Sequence, residues 1–117
     1  MTPEEMKQRT KNFALRVIWL VQSLPDRFDA RAMGGQLLRA ATSVGANYRA
    51  ACRARSAAEF RSKLGIVEEE ADETIYWMEL LIDAKLIPAK RLSELLQEAN
   101  EIVAITVASI NTTRRSK

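Results

Sequence analysis

The residues best suited to chemistry lie between Asn47 and Gly65, in the stretch NYRAACRARSAAEFRSKLG. It holds Arg49, Arg53, Arg55, Arg61 and Lys63 against the single acid Glu59. A guanidinium presents a planar fork of N–H donors that matches two phosphate oxygens at once. The chemistry on offer is therefore phosphate binding, and not bond making. The chain has no histidine, and its one cysteine, Cys52, sits on an apolar helical face. That removes most nucleophile–base pairs and most zinc sites. "MGGQ" has neither the lysine nor the spacing of a phosphate-cradling loop. Carboxylates are plentiful, but a carboxylate-bridged metal site in a helical bundle draws on Glu-x-x-His, and no histidine is available. The expectation is no catalytic residue, no metal, no cofactor and no small-molecule substrate: a protein that is not an enzyme.

These residues need elements to position them, and the periodicity is helical almost throughout. Thr2, Pro3 and Glu5 make a capping box with proline in the first turn. Met6, Thr10, Phe13, Val17, Leu20 and Leu24 then mark one face, which Pro25 and Asp26 end. A second helix starts at Asp29 as N-cap, with a hydrophobic staple between Phe28 and Met33. Its inner face reads Leu37, Ala41, Val44, Tyr48 and Cys52. Gly34, Gly35 and Gly45 interrupt its propensity, and close packing against a neighbour accounts for them. A third helix opens at the capping pair Ser56 and Glu59 and runs to about Lys85, burying Phe60, Leu64, Val67, Ala71, Met78 and Ile82. A fourth follows Pro88 and buries Leu92, Leu96, Ala99, Val103, Thr106 and Ile110. Arg114, Arg115 and Lys117 close it, where positive charge suits the carbonyl end of a helix.

The short connections force antiparallel neighbours. The fold class is all-α, an up-down-up-down four-helix bundle, with residues 1–117 as one domain. No strand pattern, repeat or low-complexity tract occurs. A lone cysteine permits no intrachain disulfide, and the opening residues lack a basic-then-apolar leader, so the expected compartment is the reducing cytoplasm. The longest apolar runs, VIWLVQSL and IVAITVASI, fall far short of a membrane span.

Three surface features remain. First, Arg31, Arg39, Arg49 and Arg53 fall within about 80° of one another on the second helix, away from its inner face. Arg55, Arg61 and Lys63 extend that face around the corner. Residues 27–63 hold eight basic and two acidic residues, the pattern of a solvated or salt-bridged face before that of a nucleic-acid grip. No aromatic residue alternates with the arginines, so such a grip is driven by the phosphate backbone and sensitive to salt. Second, the third helix carries an acidic stripe of Glu68, Asp72, Glu79 and Asp83. It is balanced by the basic face of the same chain, by that of another subunit, or by solvent alone. Third, Leu15 and Trp19 on the first helix, and Ile66 and Trp77 on the third, stand off the core stripes. Tryptophan outside a core suggests a subunit contact.

The block QLLRAATSVGANYRAACRARSAAEFRSKLGIVEEEADETIYWMELLIDAKLI resembles the centre of the bacterial 23S rRNA-intervening-sequence proteins. The resemblance is carried by Gln36, Leu37, Arg39, Ala40, Ala41, Ser43, Val44 and Asn47, then Arg55, Ser56, Glu59 and Phe60, then Glu79, Leu80 and Leu81, over about residues 13 to 112. Many members have Asn-Ile-Ala-Glu-Gly where this chain has Asn47-Tyr48-Arg49-Ala50-Ala51, which is more basic and more helical. The family is similar to the accessory variability protein of diversity-generating retroelements, a basic pentameric barrel that binds a reverse transcriptase. The resemblance implies a four-helix bundle, a homopentamer and a scaffold or nucleic-acid-associated role, and it supplies no active site.

The resulting expectation is an oligomeric, non-enzymatic bundle that binds RNA or DNA, or a ribonucleoprotein, through Arg39, Arg49, Arg53, Arg55, Arg61 and Lys63. The alternative is a protein–protein adaptor whose charged faces serve ring assembly only. In either case Leu15, Trp19, Ile66, Trp77, Glu68, Asp72 and Glu79 are the candidate subunit contacts, and no membrane is involved.

Overall fold

The computed structural model describes residues 1–115 of the chain as four helices. They are α1 (Pro3–Gln22), α2 (Phe28–Cys52), α3 (Ala57–Asp83) and α4 (Ala89–Arg115). No strand occurs among the described residues. Each helix packs against the next, and α4 returns to α1 to close an antiparallel four-helix bundle, a rod of 49 × 20 × 20 Å.

The helix starts show how directly local chemistry acts. At α1, Thr2 Oγ1 accepts the Glu5 amide at 3.1 Å and Glu5 Oε1 accepts the Thr2 amide at 2.7 Å, the complete capping box. At α3, Ser56 Oγ accepts the Glu59 amide at 3.0 Å. Glu59 reaches one residue further back than a capping box requires and accepts the Arg55 amide at 2.6 Å. The start of α2 departs from the expected cap. Arg27 occupies the N-cap without a side-chain capping bond, and Asp29 lies inside the first turn, accepting from Arg27 Nη2 at 2.9 Å. Phe28 is 81% exposed, so the staple with Met33 is not made.

The end of α3 has its own device. Lys85 takes the left-handed conformation (φ 60°). Its amide donates to Ile82 O at 2.9 Å and that of Leu86 to Leu81 O at 3.0 Å, the reciprocal pair of a Schellman stop. The helix therefore ends at Asp83, two residues before Lys85, and Leu86 and Ile87 turn into the core.

The core is one stripe per helix. Phe13, Val17, Leu37, Val44, Leu64, Val67, Met78, Leu81, Leu92 and Ile102 are each at most 1% exposed. On α4 the stripe uses Leu95 and Ile102, with Leu96 and Val103 half-buried at its margin. On α2, Ala51 takes the deep position near the end while Tyr48 and Cys52 are half-buried. Buried Thr10, Thr74 and Thr106 donate their hydroxyls to Met6, Ala71 and Ile102 carbonyls of their own helices. They therefore enter the core without an unmet donor.

The seams differ. Of the adjacent helices, α1 and α4 touch least, and Arg9 spans them. Its Nε and Nη2 grip Glu98 at 2.6 and 2.9 Å, and Nη2 also meets Glu101 at 2.6 Å. The α1–α2 seam is close where small residues allow it. A Cβ on Gly45 would stand 3.3 Å from Thr10 Oγ1, and one on Gly34 would stand 2.9 Å from Leu24 Cδ1. A Cβ on Gly35 would meet nothing, so packing does not explain that glycine.

This contrast sets an expected order of stabilities. Gly35→Ala should stabilise the fold by about 0.5–1 kcal/mol through helix propensity. Gly34→Ala should gain less or nothing, because Leu24 and Val21 must move. Urea unfolding of the two variants checks the order, and equal gains would refute it.

Candidate functional site

Antiparallel packing brings the carbonyl ends of α2 and α4 to the same end of the rod as the amino ends of α1 and α3. A small apolar cluster of Ala51, Leu64 and Ile110, flanked by Tyr48 and Phe60, ties α2, α3 and α4 together there. Around it stand Arg49, Arg53 and Arg55, all exposed, with Arg61 and Lys63 half-buried on the first turns of α3. The exposed Arg114 and Arg115 close α4 at this same end; Lys117 lies outside the described residues. The sequence placed Arg114 and Arg115 only as dipole partners. The topology that puts them at the same end of the rod as Arg53 is what a linear reading lacks.

Local structure accounts for the position of each arginine. Arg49 is in the last turn of α2 and Arg53 is its C-cap, where the helix dipole favours cations. Arg55 sits in the connector, its amide fixed by Glu59 and the next turn fixed by Ser56. None of Arg49, Arg53, Arg55, Arg61 or Lys63 forms an ion pair among the described residues. Arg9, Arg27, Arg31 and Arg39 each do.

Arg39 is thus set apart from the rest of the basic face. It bridges α2 to α3, its Nη1 lying 3.3 Å from both Glu70 oxygens and its Nη2 bonding Glu73. These bonds raise the Arg39 pKa, Glu73 contributing most. The balance between basic and acidic faces is therefore met within the chain, but through Glu70 and Glu73. Glu68, Asp72, Glu79 and Asp83 form no ion pair among the described residues.

The displaced apolar residues separate into two kinds. Trp77 is half-buried at the margin of the core, its indole Nε1 donating to Glu73 at 3.0 Å. Tyr76 packs edge-on to it, with ring centroids 5.1 Å apart. Leu15 and Ile66 are also half-buried. Trp19 is 60% exposed. Tyr76 and Phe28 are further exposed aromatics that the sequence did not single out for a surface role. No group of histidine, cysteine and carboxylate side chains suited to a metal occurs among the described residues. No described helix is long and apolar enough to cross a membrane.

Fold and surface together define a small antiparallel helical bundle with one cationic end. The chain belongs to the 23S rRNA-intervening sequence protein family, whose model matches residues 4–108. It is similar to a crystallised protein of unknown function from the S23 ribosomal protein family of Bacteroides thetaiotaomicron VPI-5482. The two share 35% identity over 95% of this chain and 99% of that one, with a TM-score of 0.88. The curated proteins contain no match.

Glu73 links the ion pair to pH. The Trp77 N–H bond, followed by Arg39, holds its carboxyl below the ordinary range. A lowered folded-state pKa contributes stability that is present at neutral pH and is lost as pH falls through that pKa. Trp77→Phe keeps a ring but removes the donor. The stability difference between wild type and this variant should be largest near neutrality and narrow in acid. Urea melts across that range measure it, and a constant difference would mean the indole bond is silent.

Proposed function

We propose that this chain is a non-enzymatic, self-associating bundle of the cytoplasm that holds RNA or DNA by its phosphate backbone. The grip is Arg49, Arg53, Arg55, Arg61 and Lys63, with Arg39 at its edge, where its fork is already engaged. One observation carries the reading. The cations at this end lack carboxylate partners among the described residues, whereas Arg9 and Arg39, which cross helix seams, have them. A cationic cluster left unneutralised by its own chain attracts a polyanion and releases that polyanion's counterions on contact. Tyr48 and Phe60 at this end are half-buried in the small apolar cluster, so the grip rests on phosphate contacts, which tolerate sequence.

Salt titration provides the test. If Arg49, Arg53 and Arg55 each meet one phosphate of a single strand, replacing all three with alanine should flatten the log K against log salt slope by roughly 2. An unchanged slope, measured by fluorescence anisotropy with a labelled RNA and a labelled DNA, would remove these residues from the interface.

The exposed Trp19, Phe28 and Tyr76 favour a second reading, an adaptor whose surfaces serve assembly into a homopentamer. A head-to-tail ring joins two unlike surfaces. Here these would be the cationic end and the unpaired acids Glu68, Asp72 and Glu79, with Leu15, Trp19, Ile66 and Trp77 as apolar contacts. Reversing the three acids together should lower the mass seen by light scattering on a sizing column. An unchanged mass would take the acids out of the contact.

A further inference from the structure

A cleft opens between α1 and α2, reaching Arg49 at one edge of the arginine-bearing corner. It has a volume of about 460 Å³, within the range of pockets that hold small ligands. Its floor is made of small residues. Gly45 faces Thr10 so closely that a Cβ there would stand 3.3 Å from the threonine oxygen. Ala14 and Ala46 continue this floor on either side. Its rim is charged: Lys7 and Lys11 rise from α1 and Arg49 from α2, with Glu4 the one acid. None of these four forms an ion pair among the described residues.

The register orders these groups along the cleft. Gly45 is level with Thr10, so Arg49, four residues on, lies about 6 Å towards the start of α1, near Lys7. Thr42, three residues the other way, lies near Ala14. Two acceptors remain within the cleft. Gln8 donates its amide N–H to Asn12 at 2.8 Å, leaving its carbonyl open. Thr42 donates its hydroxyl to Leu38 O at 2.9 Å, leaving oxygen lone pairs. A cationic rim, a flat apolar floor and free acceptors suit a ligand with a phosphate at one part and a planar ring bearing N–H groups at another.

We infer that the α1–α2 cleft binds a nucleoside phosphate, its phosphate on Lys7, Lys11 and Arg49 and its ring against Gly45 and Ala46. The inference goes beyond the polyanion grip and shares only Arg49 with it. Two sources have this chemistry: a free mononucleotide and one nucleotide of a single strand.

Isothermal titration of the full-length protein with adenosine 5′-monophosphate, inorganic phosphate and an oligoadenylate separates them. Lys7→Ala with Lys11→Ala removes rim charge. Ala46→Leu fills the cleft at an exposed helical position that tolerates leucine. Each variant should weaken adenosine monophosphate binding by about tenfold or more, and inorganic phosphate should bind more weakly than the nucleotide by a similar factor. If the mononucleotide is silent and oligoadenylate binding falls in both variants, the ligand is strand-borne. The inference is overturned if no probe depends on either variant, or if inorganic phosphate binds as well as the nucleotide. Arg53→Ala with Arg55→Ala distinguishes the two proposals. It should leave mononucleotide binding intact, and should weaken the oligomer only if the arginine grip is real.

Discussion

The bundle rests on one constraint: four helices, each with a single apolar stripe, joined by connectors too short to reach any but an antiparallel neighbour. Once those stripes close on one another, the positions of both rod ends are determined. The carbonyl ends of α2 and α4 come to the same end of the rod, and their dipoles favour the same sign of charge. Arg49, Arg53, Arg114 and Arg115 therefore meet at one end without any direct bond between them. The cationic end is a consequence of topology acting on charges that are locally favourable on each helix.

Charge is used differently along the sides. Arg9 and Arg39 lie across helix seams, and each meets two glutamates of a neighbouring helix. Such pairs are partly exposed, so their net contribution to stability is modest. Their value is geometric, since a guanidinium fork fixes the relative height of two helices. Arg9 does this at the seam where helix contact is thinnest. The arginines at the end meet no such acids within the chain and remain available. The division between structural and free arginines is thus set by what the neighbouring helix presents, and not by arginine content.

That division explains what was legible in the sequence. Helix number, order and class follow from periodicity, and the caps at Thr2 and Ser56 follow from side-chain chemistry that acts over three residues. The α4 phase was half legible. Leu95 and Leu96, like Ile102 and Val103, are adjacent apolar pairs, so the pattern alone supports either member, and the facing helices select Leu95 and Ile102. Asp29 failed as a cap because the helix begins two residues earlier than that cap would start it, at Phe28, whose ring is left in solvent. The partners of Arg39 were not legible either, since choosing Glu70 and Glu73 over Glu68 and Asp72 requires the rotation of α3 about its own axis. The basic corner was legible as composition; its extension to Arg114 and Arg115 needed the fold.

Helix α1 shows how one helix can serve three neighbourhoods. At 100° per residue, Met6, Thr10 and Phe13 form its core stripe, with Arg9 on one flank and Lys7 and Lys11 on the other. The Arg9 flank finds Glu98 and Glu101 on α4 and becomes a clamp. The lysine flank faces α2, which presents Gly45, Ala46 and Arg49 in place of acids. Small residues there draw the two backbones together, while the long cationic side chains stand up at the rim. A cleft with an apolar floor and an unneutralised rim is the necessary result. The same helix that closes the bundle on one side therefore leaves it open, and positively charged, on the other.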